Sequence, residues 1–174
     1  APDNSNDATP TITGTTNEPE NSTVSIRITD ANGVEQTVSA TVLANGTYSV
    51  DVPSDLADGN YTAEATITDA AGNSTSESDT GSVDTVAPTL TVDAPDNSND
   101  ASPTITGTTN APENATVNIT VTGSNNVVQT LSATVQANGS YSVDVPSDLA
   151  EGAYTVEATI TDAAGNPATA SDTG

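Results

Sequence analysis

The stretch from Ala1 to Gly81 recurs without a gap from Ala94 to Gly174, with most positions identical. APDNSNDATPTITGTTNEPENSTV lies over APDNSNDASPTITGTTNAPENATV. A period of this length is a domain and not a solenoid turn, because one copy is large enough to enclose its own core. Tandem near-identical domains point to an array whose useful property is length, and the sequence reads as a segment of a longer repetitive protein. The offset fixes the period but leaves the phase open. Thr89–Asp93 (TLTVD) is taken as the first strand of the second copy, since Ala87-Pro88 just before it favours an extended break. That choice gives repeats 1–84 and 85–174, the first without a first strand of its own.

Within one copy the apolar residues alternate, which is the period of a half-buried strand. Strands are expected over Thr9–Thr16, Thr23–Thr29, Gln36–Val42, Thr47–Val52 and Tyr61–Thr68. In Thr23–Thr29, Val24, Ile26 and Ile28 fall on one face, and Ser25, Arg27 and Thr29 on the other. Asn32-Gly33 and Asn45-Gly46 mark tight turns, because Asn-Gly supplies the positive φ that such turns require. Tyr61, Ala63, Ala65 and Ile67 point inward on the long strand, which ends in the turn Asp69–Asn73. Short alternating strands between turn clusters are the pattern of an all-β sandwich. Tyr61, repeated as Tyr154, fits a tyrosine corner or a plain core tyrosine.

Charge limits what such a chain can do. It holds 24 acidic residues and one basic residue among 174, a net charge of −23. That balance repels nucleic acid and anionic membrane surfaces, and no apolar run approaches a membrane span. Low hydrophobicity with high charge is also a signature of disorder, but the two-residue alternation rich in Thr and Val argues for folding. With no His, Cys or Lys there is no ordinary general base beyond carboxylates, and no Cys or Lys nucleophile. Paired carboxylates that cleave glycosides usually come with aromatic platforms, and here there are only 4 tyrosines. The chain is expected to be no enzyme. Arg27, replaced by Thr120 in the second copy, reads as half of a surface ion pair.

The acidic residues crowd where the copies join. Ser82–Pro103 holds Asp84, Asp93, Asp96 and Asp100, with Asn97 and Asn99 between them and no cationic side chain. Calcium takes about six to eight hard oxygens from carboxylates, amides, carbonyls and water, so calcium is the expected answer to this repulsion. In an immunoglobulin-like sandwich the loop before the last strand faces the N-terminal end. The turn Asp162–Asn166 should therefore look back at Asp84, beside the turn holding Asn110, Glu113 and Asn114. The first candidate site is Asp84 with Asp162, helped by Glu113 or Asn166. Asp69 is the counterpart of Asp162, but in this sequence it lacks the partner that Asp84 provides. A second candidate lies at the C-terminal end of each copy, where Asp3 and Asp7 could meet Asp55 and Asp58, and Asp96 and Asp100 could meet Asp148 and Glu151. No spacing matches an EF-hand loop, and Asp and Asn also cap turns by themselves.

PTITGTT, the turn with Pro19 and Glu20, LADGNYTAEATITDAAGN and VDTVAPTLTVDAP together resemble bacterial immunoglobulin-like repeats from the extender regions of large RTX-type, biofilm-forming surface adhesins. The resemblance covers essentially the whole chain. It implies a sandwich of about seven or eight strands, secretion by a type I system and calcium at the junctions, with Asp84 and Asp162 in the motifs concerned. The expected molecule is two tandem immunoglobulin-like Greek-key sandwiches joined end to end: an extracellular, monomeric array whose partners are calcium and neighbouring repeats. The alternative is an adhesin module that binds carbohydrate, a cell surface or ice, since rows such as Thr11, Thr13 and Thr15 could order water. Thr is also simply a good exposed strand residue.

Overall fold

The computed structural model describes residues 1–174 and divides into two compact units, Ala1–Val86 and Ala87–Gly174. It is built from strands and turns, with no helix long and apolar enough to cross a membrane. The first unit contains β1 (Thr11–Thr15), β2 (Thr23–Thr29), β3 (Glu35–Thr41), β4 (Thr47–Asp51), β5 (Gly59–Thr68) and β6 (Ser74–Val83). One of its sheets runs β3-β2-β5-β6 and the other is the pair β1-β4. The second unit contains β7 (Leu90–Asp93), β8 (Thr104–Thr109), β9 (Thr116–Thr122), β10 (Val128–Thr134), β11 (Ser140–Asp144), β12 (Thr155–Thr161) and β13 (Pro167–Thr173). Its sheets run β10-β9-β12-β13 and β11-β8-β7. Each unit is an all-β sandwich, and the first has no counterpart of β7.

The cores follow the alternation in the sequence. In β2, Val24, Ile26 and Ile28 are buried while Ser25 and Arg27 face solvent. Antiparallel pairing sets Val24 against Ile67, Ile26 against Ala65 and Ile28 against Ala63, so the apolar sets of two central strands share one face. The second unit repeats this with Val121 against Val156 and Ile119 against Ala158. Val42, Val52, Leu56, Tyr61 and Val83 complete the first core. The buried polar or charged residues are Thr109 and Asn166, so no carboxylate lies in either core.

Two local expectations are resolved by the geometry. Arg27 donates to Glu64, its cross-strand neighbour, at 2.6 Å and to Glu35 at 2.9 Å, and is a half-exposed surface ion pair. Tyr61 is buried, but its hydroxyl donates to the Pro2 carbonyl at 3.2 Å, and Tyr154 donates to Pro95 at 3.0 Å. These tyrosines anchor the opening segment of each repeat, where a tyrosine corner would bond a few residues upstream. The long strand also starts earlier than its hydrophobic pattern, because Gly59 and Asn60 pair with Val83 and Ser82.

Ile26→Ala is expected to cost the first repeat about 2–5 kcal/mol, and Val34→Ala, at an exposed site, about 0.5 kcal/mol or less. Chemical denaturation of the two variants checks the contrast.

Candidate functional site

The hairpin turn before the last strand is built the same way in both repeats. Asp69 Oδ1 accepts from the Ala71 and Asn73 amides at 2.9 and 2.8 Å, and Oδ2 accepts from Asn73 Nδ2 at 2.8 Å. Asp162 accepts from the Ala164 and Asn166 amides at 3.0 and 2.8 Å, and from Asn166 Nδ2 at 2.9 Å. The carboxylate folds the turn around itself, and the positive φ of Gly72 and Gly165 lets the chain close. Hydrogen bonding to the Asn73 side chain is the main cause holding the Asp69 carboxyl below its ordinary range, and Asn166 does the same for Asp162. The repeats differ in one respect: Asn166 is buried at 7% exposure, whereas Asn73 is exposed.

The remaining candidates are placed within their own units. Asp84 donates its amide to the Ser5 carbonyl at 2.9 Å and accepts from the Val86 amide at 3.1 Å. Asp58 accepts from the Thr85 amide and hydroxyl at 2.8 and 3.0 Å. Asp7 caps Thr9, and Asp100 caps Ser102, each through Oδ1. Glu113 is exposed in the turn after β8, while nearby Asn110 accepts from the Thr89 amide at 2.7 Å. Asp3, Asp55, Asp96 and Asp148 are exposed.

Asp96, Asp100 and Glu151 line one cleft of about 710 Å³ in the second repeat, together with Asn97, Asn99 and Tyr154; Asp148 is not among its walls. In the first repeat Val83 is buried and Ser82 to Thr85 is bonded to Ser5 and Asp58. Within neither repeat do three carboxylates converge into a group that could hold a metal unaided. The donor chemistry nevertheless fits a hard cation, since the ionised groups are carboxylates and the chain has no His or Cys. Two roles were hidden from sequence reasoning: Asn73 and Asn166 as donors to their turn carboxylates, and Asp58 as the cap of Thr85. The Asp-x-x-x-Asn spacing carried the first signal, and the second had none.

The family model for a bacterial Ig-like domain matches residues 3–85 and again 89–174. Among solved structures, the chain is similar to a tetra-tandem repeat in the extending region of a large adhesion protein, with 38% identity over 100% of this chain and 46% of that one, at a TM-score of 0.49. It is similar to a bacterial ice-binding adhesin of 1.5 MDa, with 34% identity over 97% of this chain and 57% of that one, at a TM-score of 0.49. A third is a Ca2+-stabilized adhesin that helps an Antarctic bacterium reach out and bind ice, with 33% identity over 95% and 44% of the two chains, at a TM-score of 0.46. The chain spans about half the length of these structures. Among curated proteins, none matches.

Asp69 and Asp162 have folded-state values below the unfolded value of 3.8. Their contribution to stability is therefore present above 3.8 and is lost as pH falls through the lower folded value. Thermal melts below pH 4 should show a weaker acid dependence in Asp162→Ala than in the parent chain, the Ala variant having already lost the turn bonds at neutral pH.

Proposed function

We propose, because this chain belongs to the bacterial Ig-like domain family through both of its repeats, that it is a calcium-stiffened spacer in the extender region of a cell-surface adhesin, outside the cell. The observation that carries this reading is the duplication of one sandwich whose acidic side chains all stay out of the core. Such a unit contributes reach. It offers no Cys or Lys nucleophile, no histidine and only 4 tyrosines as platforms for a substrate.

Asp84, Asp162, Asn166 and Glu113 would hold a junction ion, with Asp69 in the matching turn of the first repeat. A second kind of site would lie within each repeat, drawing on Asp3 and Asp7 with Asp55 and Asp58 in the first, and on Asp96 and Asp100 with Asp148 and Glu151 in the second. Bound calcium supplies neutralisation of carboxylate charge and a fixed oxygen shell. The protein's own part is to present those oxygens from short, hydrogen-bonded turns, so that little order remains to be imposed. An ion present at about 100 times its dissociation constant adds about 2.7 kcal/mol per site. That is a large share of a small domain's margin.

Small-angle scattering in calcium and then in chelator tests the proposal. Chelation should shorten the maximum dimension or broaden the bending, and Asp84→Asn should do so more mildly. Superposable profiles in the two buffers would remove the stiffening role and leave the fold untouched.

A further inference from the structure

We propose that Asn32-Gly33, in the hairpin between β2 and β3, is a self-modification site at which the folded first repeat converts asparagine to aspartate and isoaspartate. The only co-reactant is water. The Gly33 nitrogen attacks Asn32 Cγ, its proton passes to the departing side-chain nitrogen, and ammonia leaves as a cyclic imide closes. Water then opens the imide at Cγ to give aspartate, or at the Asn32 backbone carbonyl to give isoaspartate. Asparagine is among the thermolabile residues, and glycine, having no Cβ, hinders the closure least.

The chain has three Asn-Gly pairs, at Asn32, Asn45 and Asn138, and the fold treats them differently. Each glycine amide donates within its turn: Gly33 to Asp30 at 3.0 Å, Gly46 to Leu43 at 2.9 Å and Gly139 to Gln136 at 2.9 Å. Freeing the attacking nitrogen therefore costs about the same at each. The surroundings of the glycine do not match. The Gly46 carbonyl accepts from the Thr16 amide and the Gly139 carbonyl from the Thr109 amide, both at 2.8 Å. A Cβ on Gly46 would stand 2.7 Å from the Thr16 carbonyl oxygen, and one on Gly139 would stand 2.6 Å from that of Thr109. These two peptides are pinned against a neighbouring strand. Gly33 is exposed, with nothing within 4 Å of where its Cβ would be, so its peptide can turn as the ring forms.

The asparagine side chains differ in the same sense. Asn45 Oδ1 accepts from the Thr47 amide and hydroxyl at 3.1 and 2.8 Å, and Asn138 Oδ1 from the Ser140 amide and hydroxyl at 3.0 and 2.7 Å. Asn32 has no such hold, because Asp30 Oδ1 takes the Val34 amide at 2.8 Å and the Asn32 amide itself at 2.9 Å. Its side chain is left to rotate toward Gly33. The second repeat shows the alternative: Gly123 stands in place of Asp30, and Asn125 Oδ1 accepts from the Val127 amide at 3.1 Å. There Asn126 also replaces the glycine, so the site is confined to the first repeat. Each conversion sets a new carboxylate beside Asp30, whose Oδ2 ties this hairpin to the Ala57 amide at 3.3 Å.

The test is peptide mapping by mass spectrometry after the full chain has been incubated, folded and in urea, in one mildly alkaline buffer. Cleavage after glutamate separates the sites, with Asn32 in residues 21–35, Asn45 in 36–64 and Asn138 in 114–151. In the folded chain Asn32 should convert several-fold faster than Asn45 and Asn138, and in urea the three should convert together. Asn32→Gln should abolish the fast conversion and leave the two slow ones, since the longer side chain must close a larger ring. Equal rates at the three sites in the folded chain overturn the inference, because conversion would then pass through global unfolding. So does an Asn32 that stays intact in the folded chain while urea converts it.

Discussion

Antiparallel pairing of β2 with β5, and of β9 with β12, carries each repeat. It lays Val24, Ile26 and Ile28 over Ile67, Ala65 and Ala63, and Val121 and Ile119 over Val156 and Ala158. These residues turn a charged, thinly apolar chain into a sandwich, since every other strand either pairs with this ribbon or closes over it. The side chains are small and the aromatic share is 2%, so each buried methylene counts for more than in a richer core. A one-residue slip would put Ser25 and Arg27 inside, and so the register has little freedom.

Against this core works a net charge of −23. The fold manages it in two ways. Several carboxylates sit in turns, where they accept backbone and amide N–H groups, as Asp30, Asp69 and Asp162 do. The single arginine is spent between two glutamates of the largest sheet of the first repeat. What remains is uncompensated charge on exposed loops and strand faces, which is why the proposed spacer draws on a hard cation.

Much of the fold was legible because alternation, Asn-Gly turns and the duplication all point the same way. The limits of β2 coincide with the expected Thr23–Thr29, and the inward set of β5 is the one read from its periodicity. Other features depend on contacts remote in sequence. The Tyr61 hydroxyl reaches Pro2, and Val83 enters the first core beside a parallel bridge to Ser5. Nothing local to Tyr61 or Val83 announces such partners. The loop carboxylates were legible as turn residues, while their grouping was not: Asp96, Asp100 and Glu151 share a cleft that Asp148 does not line. Side-chain direction in exposed loops is set by individual hydrogen bonds, which no periodicity records.

A specific divalent ion, beyond simple screening, is proposed to offset the carboxylate charge of these repeats. Thermal melting in calcium chloride and in sodium chloride at matched ionic strength separates the two most directly, because screening depends on ionic strength and site binding on the ion. A melting temperature that rises and saturates in calcium while remaining lower in sodium is the predicted result. Coincident melting curves in the two salts would contradict it.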